Sequence, residues 1–144
     1  MRRVLLGLAA LVAACAVTGG AQAQSAPERI TLTSLYWGNV TQNWVVPRGG
    51  EGVWTGRDGA TKSFPVPEAD FDRLRDIFRA YEGRPFECQR TITDGPYGRV
   101  IWSRPDQRDE QLNWDAGCVT GDADDVFRRL DEAESLLKAL RDRG

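Results

Sequence analysis

The chain has 144 residues, a formal charge of −2 and no histidine. Without imidazole it can assemble neither a Ser-His-Asp nor a Cys-His nucleophile, nor a histidine metal site. The acidic balance, with no isolated basic stripe, argues against nucleic acid as a partner.

The first residues read as a leader. Met1, Arg2 and Arg3 form a basic start, residues 4–17 an apolar run, and Ala21-Gln22-Ala23 a small-residue cleavage site. That run is shorter than the roughly 20 apolar residues of a membrane span. The paired arginines lack the flanking residues of a twin-arginine signal. Two readings of the leader's end stand side by side: cleavage after Ala23, or lipidation of Cys15 within Val12-Ala13-Ala14-Cys15. Removing residues 1–23 of 144 leaves 121, a single domain's worth, and takes the formal charge from −2 to −4. Such a chain is expected in the periplasm or outside the cell, or at a membrane through a lipid on Cys15, with no transmembrane helix in its mature part.

After a polar lead-in at 24–29, the alternation of Ile30 and Leu32 with threonines predicts a strand over 30–37. Trp44, Val45 and Val46 suggest a short strand before the loop Pro47-Arg48-Gly49-Gly50. Residues 52–56 and 61–66 flank Arg57-Asp58-Gly59, the turn chemistry of a hairpin. Phe71, Leu74, Phe78 and Tyr81 share one face of a helix predicted over 67–82. Pro67 lies in its first turn, Ile77 beside the apolar face, and Gly83 and Pro85 at its stop.

Strands are predicted at 90–93, 97–103 and 110–114, with a turn at Asp94-Gly95-Pro96 and a polar connection at 104–109. Asp122 is the expected N-cap of a closing helix with the stripe Val126, Leu130, Ala133, Leu137 and Leu140, widened by Phe127 and Leu136. With no βαβ alternation, the fold class is α+β. We expect a mainly antiparallel sheet of five or six short strands, with two helices on one face, in one domain over 30–144.

Cysteines 88 and 118 are the even pair left in the mature chain and predict a disulfide. In a regular three-strand meander they would lie at opposite ends, beyond the roughly 7 Å Cα separation a disulfide spans. Either Asp115 to Cys118 must therefore fold back, or the chain around Cys88 must lie off the sheet.

Five tryptophans are an excess for this length. Trp54, Trp102 and Trp114 sit in the best strands and read as core. Trp44, beside the glycine-rich loop, and Trp37 are the candidate exposed binding residues, for stacking on glycans or anchoring a protein. Among the carboxylates Glu87, Asp94, Asp106, Asp109, Glu110 and Asp115, turn and loop duties account for nearly all. Asp94 with Asp115 is the pair a small hydrolase or glycan-processing enzyme would use. The acids around Asp122 lack the third alternating ligand and the glycine of a calcium loop, so no metal and no cofactor is expected. Asn39-Val40-Thr41 matches a glycosylation sequon that a bacterial-type leader leaves idle.

The Gly-bounded hairpin from Gly52 to Gly59, the helix from Phe71 to Tyr81, and Thr93-Asp94-Gly95-Pro96 before Arg99-Val100-Ile101-Trp102 form a recurring set. With Leu112, Gly117-Cys118 and a closing helix, it resembles an uncharacterised family of small bacterial exported domains. That resemblance implies a fold and no activity. The order of hairpin, helix, strands and helix is also faintly similar to emfourin-type metalloprotease inhibitors, although no inhibitory residue can be matched. Together these readings point to a non-enzymatic exported binding domain whose partner is another envelope or secreted protein. An inhibitor of an envelope hydrolase is one form of it. The alternatives are the small hydrolase and a structural envelope lipoprotein.

Overall fold

A computed structural model describes residues 25–84, 86, 88–89, 94–119 and 121–144. Its strands are β1 (Arg29–Tyr36), β2 (Asn39–Pro47), β3 (Glu51–Gly56), β4 (Thr61–Pro65), β5 (Tyr97–Ser103) and β6 (Glu110–Asp115). The helices are α1 (Glu68–Phe78) and α2 (Ala123–Arg143). All six strands join one sheet in the order β4-β3-β2-β1-β5-β6, every pair antiparallel. The fold is the expected α+β arrangement. The strand expected at 90–93 lies outside the described residues, as do the leader and Glu87.

Period-two alternation decides which face is buried. The register sets Ile30 against Val46 and Trp102, and Leu32 against Trp44 and Val100, with Leu112 next to Val100. These residues, with Phe64, form one core with Phe71, Leu74 and Phe78 of α1 and Val126, Ala133, Leu137 and Leu140 of α2. Both helices therefore cover the same face. The opposite face carries Thr31, Val45, Val53 and Ile101, half-buried, and Thr33, whose Oγ1 donates to Asn43 Oδ1 at 2.7 Å.

Two glycines let aromatic rings lie across the sheet. Gly52 faces Phe64 across the ladder, and a Cβ there would stand 2.8 Å from the Phe64 ring. Gly98 faces Trp114, and a Cβ there would stand 2.0 Å from the Thr33 carbonyl oxygen and 2.7 Å from the indole. At both positions only a hydrogen fits.

Several local expectations are corrected. Strand β2 begins at Asn39, five residues before the expected Trp44, because polar Asn39–Asn43 completes the ladder to β1 despite lacking apolar alternation. Pro67 precedes α1 as its cap residue, and Tyr81 joins the core from the turn beyond the helix. Asp122 makes no side-chain cap to α2; its carboxylate takes a hydrogen bond from Arg84 at 2.8 Å instead.

Arg104, expected in a polar connection, is 5% exposed. Its Nε donates to the Ser25 carbonyl at 2.7 Å, and its other nitrogens pair with Glu82 at 2.5 Å and Glu110 at 3.2 Å. Arg75 grips the same Glu82 through both oxygens, at 2.8 and 2.9 Å. Burial opposes ionisation of Glu82, but the hydrogen bonds and charge of Arg75, then of Arg104, outweigh it and hold the carboxyl below its usual range. The network ties the start of the domain to the end of α1 and to β6.

The Cys88–Cys118 disulfide is present, with Cα atoms 5.2 Å apart. Cys88 and Gln89 lie off the sheet, and Val119 N donates to the Gln89 carbonyl at 2.8 Å. Beyond β6 the chain turns back, with Ala116 N donating to the Pro96 carbonyl at 2.9 Å. No helix among the described residues is long and apolar enough to cross a membrane.

Candidate functional site

The two tryptophans singled out for binding meet opposite fates. Trp44 is 1% exposed. It points inward with Val46, packs edge-on to Phe64 with ring centroids 5.8 Å apart, and lies 6.1 Å from Trp54. The Arg141 guanidinium of α2 caps the pair, 4.7 Å from the Trp54 ring centre and 5.5 Å from that of Trp44. The expectation that Trp44 is exposed beside the glycine loop fails because strand alternation carries it to the helix-covered face.

Trp37 is 68% exposed. It occupies the first position of the two-residue turn joining β1 to β2, at φ +50°, with Gly38 following at φ +77°. Two positive φ values define the turn type that Asn-Gly serves best. A bulky L-residue there costs about 1–2 kcal/mol. The turn is pinned: Gly38 N donates to Tyr97 Oη at 3.0 Å, and Asn39 Nδ2 donates to the Trp37 carbonyl at 3.1 Å. Tyr36 stands edge-on to Trp37, with ring centroids 6.3 Å apart, and Val40 is also exposed. Arg57, from the turn between β3 and β4, lies 5.9 Å over the Tyr36 ring. An apolar tip thus projects from the sheet, held in shape by polar contacts at its base.

Beside that turn, between the sheet and α2, is a cleft of about 440 Å³. Leu32, Trp44, Trp114, Phe127 and Leu130 form its apolar walls, with Ser34 and Thr41 from either side of the Trp37 turn. Leu130 and Phe127 belong to the apolar stripe predicted for α2 but are only half-buried, because this stretch of the helix stands over the cleft. Asp131 and Glu134 add carboxylates. Gln42 Nε2 donates to Glu134 Oε1 across the gap between β2 and α2, and Lys138 holds the other oxygen at 2.8 Å. The buried Nε1–H of Trp44 has no acceptor among the described residues.

The other predicted acids are not gathered into such a site. Asp94 is exposed, and Asp115 accepts a hydrogen bond from Gly117 N at 2.8 Å. Asp115 lines a shallow hollow with Leu35, Tyr97 and Arg99 that Asp94 does not share. Asp106 and Asp109 lie exposed in the loop between β5 and β6, whereas Glu110 is drawn to Arg104. No three of the described His, Cys, Asp or Glu side chains are grouped to hold a metal ion. The cleft acids had no signal in the sequence, since Asp131 and Glu134 are spaced like any pair on a solvated helix face. Compared with known protein families, curated proteins and solved structures, the chain matches none.

Proposed function

We propose that the protein is an exported, non-enzymatic interaction domain that engages another envelope or secreted protein through the Trp37 turn. The observation that carries this reading is a large aromatic residue kept exposed in a backbone conformation that disfavours it, where asparagine would serve the fold better. Tryptophan is also the residue type most enriched among the few side chains that dominate binding at protein interfaces. The leader-like first 23 residues support an extracytoplasmic setting, either free after cleavage or held by lipid at Cys15. Inhibition of an envelope hydrolase is one form such engagement would take.

The test is a crosslinking capture from the native envelope fraction with wild-type protein and with Trp37→Asn. Wild type is expected to recover one partner, and the variant to lose it. The variant's urea midpoint should stay unchanged or rise by the equivalent of roughly 1 kcal/mol, because Asn-Gly suits the turn. Equal recovery by both proteins, or recovery of nothing, overturns the reading.

A further inference from the structure

We propose that the cleft between α2 and the sheet is a receptor site for a basic-apolar peptide segment of the partner, taking an arginine or lysine side chain next to a bulky apolar one. The proposal rests on the reading of the protein as an interaction domain, and it adds what the site recognises. Four features of the cleft carry it.

The first is charge. Asp131 has no ion-pair or hydrogen-bond partner for its carboxylate among the described residues, whereas Asp125, Glu132, Glu134 and Asp142 of the same helix each pair with arginine or lysine. No arginine or lysine lines the cleft; Lys138, one turn along α2, answers Glu134, so the cleft carboxylate left without a cation is that of Asp131.

The second is the floor. Trp114, Phe127 and Leu130 offer apolar and aromatic surface directly beside Asp131. Aromatic faces carry partial negative charge and favour a cation, while the alkyl stem of lysine or arginine suits an apolar wall. A neutral apolar ligand would leave the acid unused, and an acidic one would be repelled by it.

The third is preorganisation. Gln42 fixes Glu134 from the sheet side, and Gly98 leaves room for the Trp114 indole to lie flat across β5. Glu134 and Trp114 therefore have little side-chain freedom to lose on binding.

The fourth is place and size. A volume near 440 Å³ accommodates a pair of side chains rather than a whole domain. Ser34 and Thr41 in its wall flank the Trp37 turn, so one partner reaching the exposed tip would lay an adjoining segment over the cleft.

The experiment is an NMR titration of the nitrogen-labelled protein, following the Trp114 indole and the Gln42 side-chain amide. The probes are the capped tripeptides acetyl-Leu-Arg-Phe-amide and acetyl-Leu-Glu-Phe-amide. The arginine peptide should give saturable shifts at both reporters and bind at least about fivefold more tightly than the glutamate peptide. Asp131→Asn should weaken it about threefold, the scale of one partly exposed ion pair, and Asp106→Asn, in the exposed loop between β5 and β6, should leave it unchanged. Equal binding of the two peptides would make the cleft merely apolar and overturn the proposal. So would the absence of saturation at millimolar peptide, or indifference to Asp131→Asn. Loss of partner capture in Trp37→Asn without peptide binding would sink this proposal alone. Peptide binding without partner capture would sink the broader reading instead.

Discussion

Arg104 is the residue whose burial most constrains the molecule, because a buried guanidinium is tolerable only when its charge is answered. Glu82 answers it and is itself gripped by Arg75. Replacing Glu82 by Ala leaves Arg104 with only the 3.2 Å contact to Glu110 and the Ser25 carbonyl. We expect a loss of about 3–5 kcal/mol in urea-unfolding free energy. The sign with pH follows from the same contacts. A carboxyl held below its usual value contributes stability that is present above about pH 4 and lost as pH falls through its native value. Asp125 acts in the same direction, held low by hydrogen bonds from Arg129, then Arg128 and Tyr81. At the other end, burial, then the hydrogen bond to Asp125, pushes Tyr81 up to about 12. Its contribution is intact below about pH 10, where the unfolded phenol titrates, and disappears as pH rises through the native value. The urea midpoint should therefore be flat from about pH 5 to 9 and fall on both sides, and Tyr81→Phe should remove part of the alkaline fall.

At the scale of elements, β5 shows how sequence and site are coupled. Its alternation of Val100 and Trp102 against Ile101 was readable directly, and its bounds match the expected 97–103. Gly98 is the position whose meaning local pattern could not reveal, since its constraint comes from Thr33 on β1 and Trp114 on β6. Gly98→Ala should cost about 1–3 kcal/mol by overpacking, read as a lower urea midpoint. It should also move the Trp114 indole resonance even without ligand, because the ring is the softer of the two obstacles. The helices were legible for the same reason as β5, each announcing its buried face through spacing. What escaped was cooperative. Asn39–Asn43 is a strand because β1 lies beside it, joined at Gln42 and Asn43 by β3, and the Arg104–Glu82 pair spans 22 residues with no periodicity to betray it. The cleft draws Gln42, Trp114 and Asp131 from three elements, so no single stretch carries its signature. Trp37 could be picked out as a candidate from composition, but its left-handed backbone became visible only in the turn.

For the whole molecule, the decisive constraint is the bond between Cys88 and Cys118, which joins the segment after α1 to the turn between β6 and α2. Every ladder pair of the sheet is antiparallel and none includes Cys88 or Cys118, and both helices are held through the common core. The disulfide therefore acts mainly on the unfolded chain, where it closes a loop of sequence separation 30. On the chain-entropy argument that closure contributes roughly 3–4 kcal/mol, a large part of the margin of about 5–15 kcal/mol expected for a small domain. The double variant Cys88→Ala/Cys118→Ala should fold to the same sheet, shown by unchanged amide shifts along β1–β4. Its unfolding free energy should drop by about that amount, with a steeper urea dependence because the opened unfolded chain exposes more surface. A drop confined to the midpoint with an unchanged slope would place the effect in the native state. It would then arise from loss of the Val119–Gln89 hydrogen bond and of the packing at this end of the sheet, where the Trp37 turn and the cleft also lie.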